Sequence, residues 1–268
     1  MDRPNWVPEG MDLSRPSAAR VYDYFLGGAH NFAADRELAE QVARITPNVG
    51  DTMRANRAYL RRAVRLLLAN GIRQFLDIGS GIPTVGNVHE VAQEEDPESR
   101  VVYVDVDPVA VAHSQAMLEG SDRAVIICAD LREPDRILAQ AEATGLIDLA
   151  EPLGVLVVGV VHFIPDSDDP AGILARLRDR VVEGSYLALS HATYEDQAPE
   201  VVEAFGLSRF TETAIVLRSR SEITGYFAGL KLIEPGVVHI PQWRPDNPDE
   251  TIEHPERIGA FAGVGRKS

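Results

Sequence analysis

The residues with the clearest chemical capacity lie in three short segments, each an apolar run that stops at a turn. The first reads Phe75-Leu76-Asp77-Ile78-Gly79-Ser80-Gly81. Two glycines directly after an apolar run let the backbone turn sharply and let a ligand press against main-chain atoms, since no Cβ intervenes. A dinucleotide fingerprint, G-x-G-x-x-G, needs a third glycine where Thr84 stands, and the next glycine is Gly86, which disfavours a nicotinamide cofactor. The second segment ends Tyr103-Val104-Asp105-Val106-Asp107-Pro108. Asp105 stands one helix and one strand further on, where a nucleotide-binding α/β fold sets an acid against ribose hydroxyls. A carboxylate suits a vicinal diol because it accepts two hydrogen bonds, and it repels a ribose phosphate; the alternative is a solvated loop acid. Asp107 is accounted for as a helix cap ahead of Pro108. The third segment ends Cys128-Ala129-Asp130-Leu131-Arg132, where Asp130 can accept from an adenine amino group or cap the following turn.

Elements must carry these residues to one place. Between 50 and 70, Met53, Leu60, Ala63, Val64, Leu67 and Leu68 form one helical stripe, with Arg54, Arg57, Arg61, Arg62 and Arg65 largely around it and Gly71 as a stop, which predicts an amphipathic helix. Apolar runs over Gln74 to Ile78, Val101 to Val104, Val125 to Cys128, Val155 to Val161 and Tyr186 to Leu189 read as strands buried on both faces. Asp107-Pro108 and Asp169-Pro170 each pair an N-cap with proline at the first helical position, the second before a helix over Ile173 to Val182 that closes at Gly184.

Strands alternating with helices at this spacing require parallel pairing and right-handed crossovers. The fold class is therefore α/β, a doubly wound, mostly parallel sheet of about seven strands with an N-terminal helical extension. Ser219 with Glu222 predicts a capped helix through Phe227, and strands around Leu230 to Ile233 or Val237 to Ile240, and Phe261 to Val264, suggest an antiparallel edge pair. No repeat or Ser/Gly linker interrupts the chain, so one domain over 1–268 is expected, with 1–70 as a helical cap and 71–268 as a Rossmann-like core.

A chain of 268 residues, 45% hydrophobic, can bury a sizeable core. Its net charge of -15 works against binding phosphate backbones, which cationic side chains drive by displacing counterions. Cys128 is the single cysteine, so no intrachain disulfide can form, and its apolar run predicts a buried, inert thiol. Met1 to Gly10 lacks the apolar core of a signal peptide, and no apolar run reaches membrane-spanning length. A cytoplasmic protein with no nucleic-acid or membrane partner is the expectation.

Other chemistries lack their residues. No Asn/Asp-Pro-Pro-Tyr follows the fourth strand, where Val161-His162-Phe163-Ile164-Pro165-Asp166 stands, and no phosphate-loop Gly-Lys-Ser/Thr, His-Glu-x-x-His or Gly-x-Ser-x-Gly occurs. The acidic run Asp166 to Asp169 reads as a solvated loop, since Asp169 is a cap and no histidine lies at ligand spacing.

The series DIGSG, VDVDP and ADLRE at three successive strand ends resembles the class I S-adenosylmethionine methyltransferases. Tyr22 to Glu37, Arg54 to Arg65, Phe75 to Gln93 and Val160 to Ile173 narrow the resemblance to the S-adenosyl methyltransferase family formerly grouped as DUF574, over nearly the whole chain from about Ser14. The resemblance implies S-adenosylmethionine binding: Asp77, Gly79, Ser80 and Gly81 around the methionine moiety, Asp105 on the ribose, Val106 on the adenine face, and Asp130 with Leu131 at the adenine edge, with Val160 also expected in the site. A leucine-carboxyl-methyltransferase-like arrangement would pair Arg54 or Arg57 with the cofactor carboxylate. Gly27 to Asn31 reads either as a lid loop that brings Asn31 to the cofactor or as a plain helix-helix turn.

Methyl transfer needs a general base only where the acceptor carries a proton. His162 after the fourth strand is the first candidate base, or a histidine buried for shape; His191 is the second; His89 is expected to hydrogen-bond its turn. The function expected is methylation of a small molecule at oxygen or nitrogen, the acceptor being held by the N-terminal helices and Ala192 to Gly229. The alternatives are a non-catalytic protein that binds the cofactor and, behind it, a nicotinamide-dependent oxidoreductase.

Overall fold

Each predicted strand is apolar on both faces and is followed by a segment that returns the chain, and the result is a sheet with helices on both sides. A computed structural model describes residues 12–83, 86–205, 214–247, 249 and 253–268. The Met1 to Gly10 segment and Thr84 lie outside the described residues.

Three helices come first: α1 (Ala18–Phe25), α2 (Ala33–Ile45) and α3 (Val49–Ala69). The core then alternates β1 (Gln74–Ile78), α4 (Val88–Glu95), β2 (Arg100–Asp105), α5 (Pro108–Met117), β3 (Ala124–Cys128), α6 (Pro134–Ala143), β4 (Gly154–Val158), α7 (Pro170–Arg180) and β5 (Tyr186–Ala192). It closes with α8 (Pro199–Phe205), α9 (Arg220–Gly225), β6 (Lys231–Leu232), β7 (Val238–His239) and β8 (Ala260–Arg266). The sheet runs β3-β2-β1-β4-β5-β8-β6, with β7 also on β8. The first five strands are mutually parallel, and β8 is antiparallel to β5, β6 and β7.

The caps form as the sequence predicts: Asp107 accepts from Val109 N at 2.7 Å, Asp169 from Gly172 N at 3.0 Å, and Ser219 with Glu222 closes a reciprocal box. One strand boundary changes. β4 stops at Val158 rather than Val161, because Gly159 at φ +75° turns the chain into a short 3-10 segment over Val161–Phe163. The antiparallel edge pair forms as β6 on β8, with β7 also on β8; β8 itself lies between β5 and β6, a position its buried run Ala260 to Gly265 suits on both faces.

The two faces of the sheet carry separate apolar layers. Leu60, Val64 and Leu67 of α3 pack with Trp243 on one, and Ile137, Leu138, Ile173 and Leu177 of α6 and α7 on the other. α3 is fastened to the sheet by Tyr59, fully buried, whose hydroxyl reaches Gly263 O at 2.6 Å and Leu189 O at 3.2 Å. Cys128 is exposed, contrary to expectation: β3 is the sheet's outer strand, paired only with β2, and its last residue emerges at the open edge. Among the described residues no helix is long and apolar enough to cross a membrane.

Tyr59→Phe removes the hydroxyl that joins α3 to β5 and β8, while the paired Leu189 and Gly263 keep their ladder contacts, a loss of about 0.5–1.5 kcal/mol in urea unfolding; an unchanged midpoint would contradict the tether. Cys128 should react with Ellman's reagent in the folded protein without denaturant, and a thiol that appears only on unfolding would contradict its edge position.

Candidate cofactor and acceptor site

Parallel strands deliver their carboxyl ends to one rim, and ligands of open α/β sheets bind there, outside the strand ends. In this chain the rim of β1, β2, β3 and β4 is roofed by α1, α2 and α3, leaving a cavity of about 380 Å³, within the size range of small-molecule sites.

Gly79 leaves β1 at φ +73°, and a Cβ there would stand 2.3 Å from Val160 Cγ2, so the loop can pass under Val160 only as glycine. Gly79 N and Ser80 N both donate to Val104 O, at 2.7 and 3.2 Å, which binds the loop to β2. The Ser80 hydroxyl is buried without a partner beside the cavity. Asp105 accepts from Gly81 N at 2.7 Å on one oxygen and from Asp107 N at 2.8 Å on the other. Each oxygen keeps a lone pair for a ligand. Burial pushes the Asp105 carboxyl up to about 6, against the pull of those N–H groups. Asp77, also buried, is pushed up to about 7; the Arg57 guanidinium opposes the shift and the Asp105 charge adds to it.

Val106 is 61% exposed, an apolar side chain on the cavity wall between these acids. Leu131 is buried in the same wall, whereas Asp130 is gripped by its neighbour, Arg132 Nε lying 3.0 Å from both carboxylate oxygens. That hydrogen bond holds the Asp130 carboxyl below its usual value. Of the two arginine candidates only Arg57 reaches the cavity: its Nε is buried without a partner and its guanidinium lies 5.9 Å from the Tyr22 ring centroid. Arg54 faces outward and pairs with Asp51 at 2.6 Å.

The apolar lining of the cavity includes Phe25, Leu38, Val42, Phe163, Val201 and Ile215. His162 faces it, with Nδ1 3.5 Å from Ala192 N; burial, His191 and the Arg218 guanidinium push its pKa well below the ordinary histidine value. His191 is committed at both nitrogens, Nδ1 to Ala192 O at 2.6 Å and Nε2 to Arg218 Nη1 at 2.9 Å, and burial lowers it to about 4. His89 lies away on α4, its Nδ1 2.7 Å from Tyr103 Oη.

A family model described as S-adenosyl methyltransferase matches residues 4–268. The chain belongs to the S-adenosyl methyltransferase family. It is an S-adenosylmethionine-dependent methyltransferase with that compound as cofactor. A DUF574 family protein from Streptomyces avermitilis is similar at 39% identity and TM-score 0.90, covering 96% of this chain and 99% of its own. A Thermobifida fusca protein classed provisionally as a methyltransferase shares 37% identity at TM-score 0.91, over 99% of this chain and 100% of its own. An O-methyltransferase family 2 protein from Planctomyces limnophilus, solved with apigenin, shares only the fold, at 17% identity and TM-score 0.51 over 88% of this chain and 66% of its own. No curated protein matches by sequence.

In this methyltransferase Asp77, Gly79, Ser80, Gly81, Asp105 and Val106 converge on one cavity with Asp130, Leu131, Val160 and Arg57. Asn31 does not reach it. Its side-chain amide donates to Asp23 Oδ2 at 2.9 Å and Gly28 O at 3.0 Å and accepts from Arg36 at 3.1 Å, so it closes the turn between α1 and α2. Gly28 is pressed against Asp23 there, with a Cβ only 1.9 Å from Oδ1. The Gly27 to Asn31 segment is thus a helix-helix turn, and the helices themselves roof the site. From Ala192 to Gly229, Ala192, Gln197, Val201 and Ile215 line the cavity, while 206–213 lie outside the described residues.

Two buried arginines that hold the walls of the site without lining it leave no mark in the sequence. Arg20, buried in α1, pairs with the fully buried Asp35 at 2.9 Å, and both Arg20 and the Ser17 hydroxyl bond to Asp107. The latch fixes the helical roof to the loop that carries Asp105. Arg218, buried, ties the segment before α9 to Asp166, Ile164 O, Val161 O and His191. Neither lies in a pattern that sets it apart from a solvated arginine. Arg20→Ala strands the Asp35 carboxylate and should cost about 3–5 kcal/mol by denaturant unfolding; a loss under about 1 kcal/mol would show that the latch holds nothing.

Proposed function

We propose that the cofactor lies along the rim of β1 to β3 and that a small-molecule acceptor meets it under α1, α2 and α3. When bound, S-adenosylmethionine supplies an electrophilic methyl group on a positively charged sulfur. The Asp77 to Gly81 loop encloses the methionine part, with Asp77 accepting from its ammonium and Arg57 donating to its carboxylate. Asp105 accepts from both ribose hydroxyls, Val106 covers one adenine face, and Leu131 and Val160 bound the ring and the sulfur. Asp130 meets the adenine amino group through whichever lone pair Arg132 leaves it.

The observation that carries this reading is Asp105: a buried carboxylate whose two oxygens are each fixed by one backbone N–H and each keep room for one more donor. Ser80 and Arg57, with unpartnered buried polar atoms beside it, fit a ligand rich in donors and acceptors. The chain acts as one domain in this account, its first 70 residues capping the core. A net charge of -15 argues against a nucleic-acid acceptor, and an exposed free thiol at Cys128 suits the reducing cytoplasm.

Isothermal titration with S-adenosylhomocysteine tests the site. Asp105→Asn turns one acceptor into a donor facing the ribose and should weaken binding about 10–100-fold, the worth of a hydrogen bond to a charged group. Wild-type affinity should rise between pH 5.5 and 7.5, because the free protein must lose protons from Asp105 at about 6 and Asp77 at about 7 before both can accept. Asp77→Asn should remove the upper part of that rise; a flat profile, or full affinity in Asp105→Asn, would overturn the assignment.

A further inference from the structure

The acceptor half of the cavity holds donors but, among the described residues, no free base. The carboxylates of the cavity wall, Asp77, Asp105, Asp107 and Asp130, all stand at the ends of β1, β2 and β3, on the cofactor side. His191 carries its proton on Nδ1, facing Ala192 O, and spends its other lone pair on Arg218. His162 presents its Nδ1 lone pair to Ala192 N–H, which leaves the ring proton on Nε2 and makes that nitrogen a donor. The Tyr22 hydroxyl donates to Met53 O and accepts from Asn56, and the Ser190 hydroxyl donates to Asn56 Oδ1 at 2.6 Å.

A site built this way selects acceptors by ionisation. An amine is protonated at neutral pH, has no lone pair to give and, among the described residues of this half of the cavity, meets no carboxylate to stabilise it. A phenol, with a pKa of about 10, keeps its proton where no described residue is free to take it. A carboxylate is ionised already. The exposed Arg257 guanidinium on the cavity wall favours an anion, and the apolar lining of Phe25, Leu38, Val42, Phe163 and Val201 calls for a hydrophobic body.

We propose that the methyl acceptor is the carboxylate of an apolar small-molecule acid, positioned by the His162 side chain as donor. The proposal rests on the cofactor assignment above. A carboxylate oxygen lone pair forms the new O–CH3 bond as the S–CH3 bond breaks with its pair left on sulfur. The products are a neutral methyl ester and a thioether, and no proton is released.

The test is calorimetric binding to protein saturated with S-adenosylhomocysteine, using matched sets of acid, alcohol and amine on hexyl, decyl and 3-phenylpropyl bodies. At least one acid should bind ten-fold or more tightly than its alcohol and amine partners. His162→Phe should lower that acid's affinity about ten-fold and His162→Gln, which keeps a donor, should retain it, with S-adenosylhomocysteine affinity unchanged in both. If no acid exceeds its own alcohol and amine, or if His162→Phe binds it normally, the carboxylate proposal is overturned while the cofactor site stands. Failure of S-adenosylhomocysteine itself to bind would remove the cofactor site and this proposal together.

Discussion

The site depends on one constraint: a carboxylate, Asp105, taken out of water and held there by the backbone N–H groups of Gly81 and Asp107. A buried carboxylate is costly unless its oxygens are hydrogen-bonded, and while Asp107 N–H is local to the turn, Gly81 N–H is available only when the glycine loop after β1 crosses to the end of β2. That crossing needs Gly79 in its left-handed conformation beneath Val160, with Val104 O receiving two loop N–H groups. The parallel pairing of β1 with β2 puts both ends on one rim. Fold and site are therefore one arrangement seen at two scales.

The helical roof is joined to that arrangement through Asp107. One oxygen of Asp107 caps α5, and the other receives Ser17 and Arg20 of the roof, whose charge is balanced by Asp35. A buried pair of this kind gives little net stability but penalises any geometry that parts it. It sets the roof in register with the loop that carries Asp105, so the space beneath the roof is defined by the same residues that shape the rim.

Much of this was legible in the chain because parallel strands and capped helices leave strong local marks. Apolar runs, Asp-Pro junctions and the glycine bend placed β1 to β5 and the acids at their ends. What escaped was tertiary. Nothing local distinguishes Cys128 at an open sheet edge from a cysteine inside the sheet, since burial there depends on which strand is outermost. The antiparallel edge pair was legible, but not that β8 meets both β6 and β7, since those strands have two residues each and too little pattern to declare themselves. Asn31 in a Gly-containing loop looked like a ligand contact, yet its amide donates to Asp23 and Gly28 across the turn between α1 and α2, a contact that sequence order alone does not reveal. Arg20 and Arg218 are buried only because distant carboxylates, Asp35 and Asp166, meet them.

The central claim is that the ends of β1, β2 and β3 cradle an adenosyl group. A crystal structure with S-adenosylhomocysteine measures it directly. Both ribose hydroxyls should lie within hydrogen-bond distance of the Asp105 carboxylate, with the adenine ring against Val106 and the amino-acid end beside Asp77 and Arg57. A ligand bound elsewhere, or one on this rim with its ribose turned away from Asp105, would contradict it.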